Sequence, residues 1–139
     1  MKTTTNIFIA FILFFGISMA GTAQTKWMLD KSHTGVKFTV THLVISEVEG
    51  NFKGFSGSMT ASKPDFTDAQ IEFSVDVNTI STDNEMRDKH LKSDDFFNAE
   101  KYPAMTFKSI SFKKISAKAY ELTGNLTIRD LLGTLTNRR

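Results

Sequence analysis

The chain is expected to fold as an all-β domain, an antiparallel sheet that curls into a barrel or packs as a sandwich, with one short helical crossover. Three observations predict this. Apolar and polar residues alternate with period two through segments rich in Val, Ile, Phe and Thr. Glycine and proline interrupt those segments at short intervals. A single stretch, Thr82–Pro103, breaks the alternation with six carboxylates, a histidine and an arginine. Strands with one dry face each favour antiparallel pairing.

The 139 residues open with "MKTTTNIFIAFILFFGISMAGTAQ": one cation at Lys2, an apolar run from Ile7 to Ile17, then Gly21 and Ala23. That order reads as a secretory signal cleaved after Ala23, and the run is shorter than the ~20 residues that span a bilayer. Residues 24–139 then form one small, exported, soluble domain without stable membrane insertion. The chain has no cysteine, which excludes disulfides, thiolate metal sites and thioether lipid attachment. A net charge of +2 with no basic cluster gives no reason to invoke nucleic acid.

Along the domain, "GVKFTVTHLVI" sets Val36, Phe38, Val40 and His42 on one face against Lys37, Thr39 and Thr41. "VEGNFKGFSGSMTA" carries Phe52 and Phe55 around Gly54, with Gly57 following, which predicts a bulge or sharp bend. "SKPDF" supplies a turn through Pro64 and Asp65. "AQIEFSVDVNTI" is the clearest strand, with Ile71, Phe73, Val75 and Val77 dry and Glu72, Ser74, Asp76 and Asn78 wet. "PAMTFKSISF" and "KAYELTGNLTIR" are two more strands, the second placing Tyr120, Leu122, Gly124, Leu126 and Ile128 on one face. No repeat or internal domain boundary interrupts residues 24–139.

The acidic stretch has a local structural reading. Thr82 and Glu85 have capping-box spacing, Asp83 suits a helix start, and Glu85–Lys89 and Asp88–Lys92 are favourable i,i+4 pairs. Ser93 is expected to cap a second turn anchored by Phe96 and Phe97, and Pro103 returns the chain to extended geometry. The alternative is a metal or acid–base site built from Asp88, His90, Asp94 and Asp95, with His33 and His42 as further ligands. No motif of established mechanics supports it, so the structural reading is preferred and neither catalytic residues nor a metal or cofactor is assigned.

Several ordered blocks carry a family likeness. These are "WMLDKSHTGVKFTVTHL", "VEGNFKGFSG", "STDNEMRDKHLKSDDFFNAEKYP" and "LTGNLTIR", spanning Trp27 to Arg129. In them the chain resembles the YceI-like family of bacterial periplasmic polyisoprenoid-binding proteins. The resemblance implies a lipocalin-like antiparallel β-barrel whose apolar interior holds an isoprenoid or similar amphipathic lipid, with no catalytic residues and with the acidic stretch as a crossover near the mouth. It departs after Arg129. The family continues with a glycine, a turn containing Thr and Pro, and further strands, whereas "DLLGTLTNRR" follows here, so an incomplete barrel with exposed sheet edges is expected.

The protein is thus expected to be a periplasmic carrier that takes a polyisoprenoid or other long apolar lipid as its partner. A surface-acting envelope protein with a filled core is the alternative, and the sequence leaves the oligomeric state open, a homodimer included. Alternation proposes Val36, Phe38, Val40, Phe52, Phe73, Val75, Phe107, Leu122 and Leu126 as the lipid lining. The same residues would form the core if the interior is packed.

Overall fold

The computed structural model describes residues 23–42 and 46–138. The expected signal segment and the side chain of His42 lie outside the described residues. The strands are β1 (Thr25–Met28), β2 (Val36–His42), β3 (Ser46–Phe52), β4 (Phe55–Ala61), β5 (Gln70–Asp76), β6 (Ile80–Ser81), β7 (Ala104–Lys114), β8 (Tyr120–Ile128) and β9 (Leu131–Arg138). One helix, α1 (Glu85–Lys92), lies between β6 and β7. No helix among the described residues is long and apolar enough to cross a membrane.

All strand pairing is antiparallel. Six strands form one sheet in the order β1-β4-β5-β7-β8-β9, and three form a second in the order β2-β3-β6. The all-β architecture and the helical crossover are therefore as the sequence predicts. The sheet does not close: among the described residues β1 and β9 are opposite, unjoined edges.

The chain passes between sheets at two sharp corners. At Lys53–Gly54 it leaves β3 for β4, and the Gly54 N–H donates to Thr79 Oγ1 at 2.7 Å while Asp76 N donates to the Gly54 carbonyl at 2.8 Å. A Cβ at Gly54 would lie 2.8 Å from the Thr79 methyl, so this close approach, rather than an unusual φ, requires the glycine. The expected bend is present there, but Gly57 is ordinary strand. The second corner corrects the long "IEFSVDVNTI" strand. Asp76 accepts from Asn78 N and starts a 3-10 turn over Val77–Thr79, so Val77 leaves the β5 alternation and is 1% exposed.

β7 carries a bulge that the reading of it as a plain strand did not include. Phe107 pairs with Leu126 and Phe112 with Leu122, with the register shifting between Ser109 and Ser111. The extra residue, Ile110, reverses the side-chain parity, so odd-numbered Met105 and Phe107 and even-numbered Phe112 share one face.

The core sits where the small sheet covers one end of the large one. Phe52 and Ile80 from the small sheet meet Val75 from the large, at 4–6% exposure, and Val36, Phe38, Phe55, Phe73, Leu91, Phe97 and Met105 pack around them. Burying each such large side chain contributes about 1.5–3 kcal/mol. Aromatic packing adds shape: Phe52 meets Phe97 edge-on at 6.1 Å and Phe38 at 5.5 Å.

Candidate apolar binding face

Cross-strand register places one row of side chains from each of the six strands on the side of the large sheet that carries the core. From β4 to β9 the row includes Phe55, Met59, Ile71, Phe73, Val75, Met105, Phe107, Phe112, Leu122, Leu126, Ile128, Leu131 and Leu135. Glycines make room for its aromatic rings. A Cβ at Gly124 would lie 2.2 Å from Phe107 Cζ, and one at Gly57 2.8 Å from Phe73 Cδ2. Each ring therefore lies across the backbone of its neighbour strand and widens the smooth apolar surface.

The nine residues expected to line a lipid site divide between two regions. Phe52 and Val75 are buried, and Val36, Phe38 and Phe73 pack against them, so these five belong to the closed core. Val40, at the far end of β2, is 54% exposed. Phe107, Leu122 and Leu126 lie half-buried on the large sheet beyond the core. Alternation assigned each to an apolar side but could not tell which part the second sheet covers. The same face also includes Met105, Ile128, Leu131 and Leu135, which that list omits. For Leu131 and Leu135 the signal was partial: Leu131, Gly133 and Leu135 fall on one face of β9, with Leu132, Thr134 and Thr136 on the other.

The opposite face is mostly polar. Ser56, Ser58, Glu72, Ser74, Thr106 and Lys108 line a depression of about 380 Å³ there together with Met28, Phe73 and Phe107, and a Lys108–Glu72 ion pair at 3.2 Å crosses it.

The crossover closes the core end of the face through a polar network. Thr82, 6% exposed, donates its N–H and its hydroxyl to Asp88 Oδ1 at 2.9 and 2.6 Å, while Arg87 donates to Thr82 Oγ1 and to its carbonyl, each at 2.7 Å. Thr82 is therefore not the expected helix cap. Asp83 adopts φ 57°, which turns the chain, and Asn84 caps α1 by accepting from Arg87 N at 3.0 Å. With its carboxylate committed to Thr82, Asp88 does not form the expected Lys92 pair, and Glu85–Lys89 is likewise not closed within 4.0 Å.

Ser93 both ends α1 and opens the expected second turn, in which the Phe96 N–H donates to the Ser93 carbonyl at 3.2 Å. The Ser93 hydroxyl donates to the His90 carbonyl at 2.7 Å, and Phe97, Asn98 and Ala99 donate back to Leu91, Ser93 and Lys92 at 2.7–3.0 Å. These bonds fold residues 94–99 over the helix C-terminus and satisfy its free carbonyls. The phenylalanine pair divides: Phe97 enters the core, whereas Phe96 is 46% exposed against the His90 ring at 4.9 Å. Arg129, in the β8–β9 turn, reaches this segment, donating to the carbonyls of Asp94 and Phe96 at 3.2 and 2.6 Å and lying 5.8 Å from the Tyr102 ring.

Among the described residues, the proposed acid–base residues do not gather into one site. His90 meets Asp95 at 3.3 Å on the surface, and Asp88 is held by Thr82. His33 pairs with Asp30 at 2.6 Å in the loop before β2, and this hydrogen bond is the main cause of an Asp30 pKa below its ordinary value. Among the described residues no three His, Asp or Glu side chains gather as a metal site would require.

Comparison with known proteins agrees with this geometry. The family model for a YceI-like domain matches residues 27–136. Protein YceI of Salmonella newport (strain SL254) is 33% identical over 124 residues, covering 89% of this chain and 64% of that protein. The chain thus spans somewhat under two thirds of the length of the curated relatives it matches. Among solved structures, Burkholderia cenocepacia BcnA superposes with a TM-score of 0.71 at 26% identity, covering 78% of this chain and 68% of that one. Campylobacter jejuni YceI gives 0.59 at 34%, covering 81% and 66%. A polyisoprenoid binding domain from Saccharophagus degradans gives 0.54 at 15%, covering 86% and 63%, a likeness of fold. With a family model matched over most of its length and its antiparallel fold shared with these proteins, the chain belongs to the YceI-like family.

Proposed function

We infer that this protein binds the tail of a long isoprenoid or similar amphipathic lipid on the apolar face of its large sheet, as a periplasmic carrier rather than an enzyme. The observation that carries this reading is the continuous apolar surface of Phe107, Leu122, Leu126 and Ile128, which the small sheet leaves uncovered. Family membership supports a binding role, and the description of the Saccharophagus domain as polyisoprenoid binding supports the ligand class. Each methylene laid on such a surface contributes about 0.8 kcal/mol, so a long chain is held without directional contacts. Selectivity would then follow chain length and the width of the face rather than head-group chemistry.

The test is native mass spectrometry of the protein recovered after export, with organic extraction of the same sample. A one-to-one adduct that extracts as a prenyl or other long-chain lipid supports the reading. A folded protein that carries no adduct and takes up no added prenyl alcohol contradicts it.

A further inference from the structure

We propose that the tip of the β7–β8 hairpin, with the neighbouring β4–β5 loop, docks reversibly on the anionic head groups of a phospholipid membrane. Docking is a property of the chain's own surface and needs no bound lipid.

Two internal loops at one end of the large sheet make this surface. β5 and β7 stop pairing after Glu72 and Lys108, β7 bulges at Ile110, and its second half continues with β8 alone to the pair Lys114–Tyr120. The hairpin therefore projects past β5. Its tip closes on itself, the Ile115 and Ser116 N–H groups donating to the Ala119 carbonyl at 2.9 and 3.2 Å. At its base Phe112 stacks on Tyr120 at 4.8 Å, and the Tyr120 hydroxyl donates to the Asp65 carbonyl at 3.4 Å, which ties the hairpin to the β4–β5 loop.

Charge is divided along the sheet. Residues 110–120 contain Lys113, Lys114 and Lys118, all exposed, and no carboxylate. Successive strand positions point to opposite faces, so Lys113 and Lys114 flank the hairpin on both sides. Lys63 adds an exposed cation from the β4–β5 loop. The nearby carboxylates are committed elsewhere: Glu121, opposite Lys113, accepts from Arg138, Asp65 from Thr67, and Asp68 from the Ser62 and Lys63 N–H groups. At the other end of β7, residues 83–101 carry six carboxylates against four Lys and Arg. A chain polarised in this way turns its hairpin end toward an anionic surface.

Apolar side chains accompany the lysines. Ile115 at the tip is 53% exposed, and the bulge turns Ile110 out to 61%, on the rim of a depression of about 570 Å³ shared with Lys113, Thr67 and Asp68. Ammonium groups among phosphates with short apolar chains beside them suit the interfacial layer of a bilayer. A nucleic acid would need open aromatic rings for its bases, whereas Phe112 and Tyr120 stack on each other. A projecting tip with cations on both flanks also fits a broad anion layer better than a groove. Docking there brings the Leu122 end of the apolar face toward the membrane, away from the filled core.

The test is flotation of the lipid-free chain with phosphatidylcholine vesicles that contain or lack phosphatidylglycerol. Each lysine that reaches an anionic surface raises partitioning about fivefold, so Lys113→Gln, Lys114→Gln and Lys118→Gln together are expected to lower it about tenfold or more. Salt at about 0.5 M should do the same by screening. Lys89→Gln with Lys92→Gln, on α1, should leave it unchanged. Ile115→Trp reads the contact directly: its emission should shift to the blue on anionic vesicles only, over the background of Trp27, the one natural tryptophan. Flotation by a protein that carries no lipid adduct supports docking and counts only against the cargo. Absence of binding to phosphatidylglycerol vesicles overturns the proposal. So does equal binding to phosphatidylcholine alone, or a loss as large from the α1 substitutions as from those in the hairpin.

Discussion

The two ends of the large sheet are made of the same residue types and behave differently. At the crossover end, Phe52, Val75, Val77 and Ile80 are at most 6% exposed, and the polar groups around them are paired through Thr82, Arg87 and Asp88. At the β7–β9 end, Phe107, Leu122 and Leu126 are half-buried and Leu131 and Leu135 are open to solvent. The difference is what lies above the sheet: the first end has β2, β3, β6 and Phe97 over it, the second has none of them. A side chain inside a filled core stabilises the fold, whereas the same side chain on an uncovered sheet remains available to a ligand.

Substitution at matched positions sharpens this contrast. Phe52→Ala is expected to cost about 3–5 kcal/mol in chemical denaturation, because the cavity it opens cannot collapse between two sheets. Asp88→Ala should cost about 2–3 kcal/mol by leaving the buried Thr82 N–H without its acceptor, and Asp88→Asn, which keeps an oxygen there, should cost less. Gly124→Ala is expected to cost about 1–3 kcal/mol, since its Cβ overlaps Phe107 Cζ at 2.2 Å and the Lys108 carbonyl at 2.7 Å. Leu126→Ala should cost only about 1 kcal/mol, because its side chain is partly exposed, while weakening lipid uptake. Equal losses for Phe52→Ala and Leu126→Ala would break the contrast.

The smallest expected effect is on pH. Asp68 accepts N–H groups from Ser62 and Lys63 at 2.9 and 3.1 Å, and the Ser62 bond is the main cause of a folded-state pKa below its ordinary value. Its stabilising contribution is therefore complete above the unfolded pKa and is lost as pH falls through the lower folded one. Protection of the Ser62 and Lys63 amides, relative to their intrinsic exchange rates, should fall below about pH 4, and Asp68→Asn should remove that step without altering the core end.

Much of this architecture was legible in alternation. β2, β5 and β8 follow from period two, and the face shared by Leu122, Gly124 and Leu126 survives unchanged in the structure. The crossover was legible as a polar helical connection, but its caps were not: Thr82 and Asn84 both suit an N-cap by type, and the choice depends on Thr82 being buried against Asp88. Nor did the sequence show where the small sheet ends. Phe38 and Phe107 look alike in their strands, and only the register that joins β3 to β6 places one under cover and leaves the other open. The β7 bulge was detectable in principle, since Phe107 and Phe112 are five apart and cannot share a face in a regular strand.

Paramagnetic relaxation from a spin label at the end of a prenyl chain, read at assigned side-chain signals, tests the division between filled end and binding face most directly. Leu122, Leu126, Ile128 and Phe107 are expected to broaden in proportion to bound ligand while Val77 and Ile80 stay sharp. Broadening centred on Val77 and Ile80, or on the polar row of Ser58, Glu72 and Lys108, would contradict it.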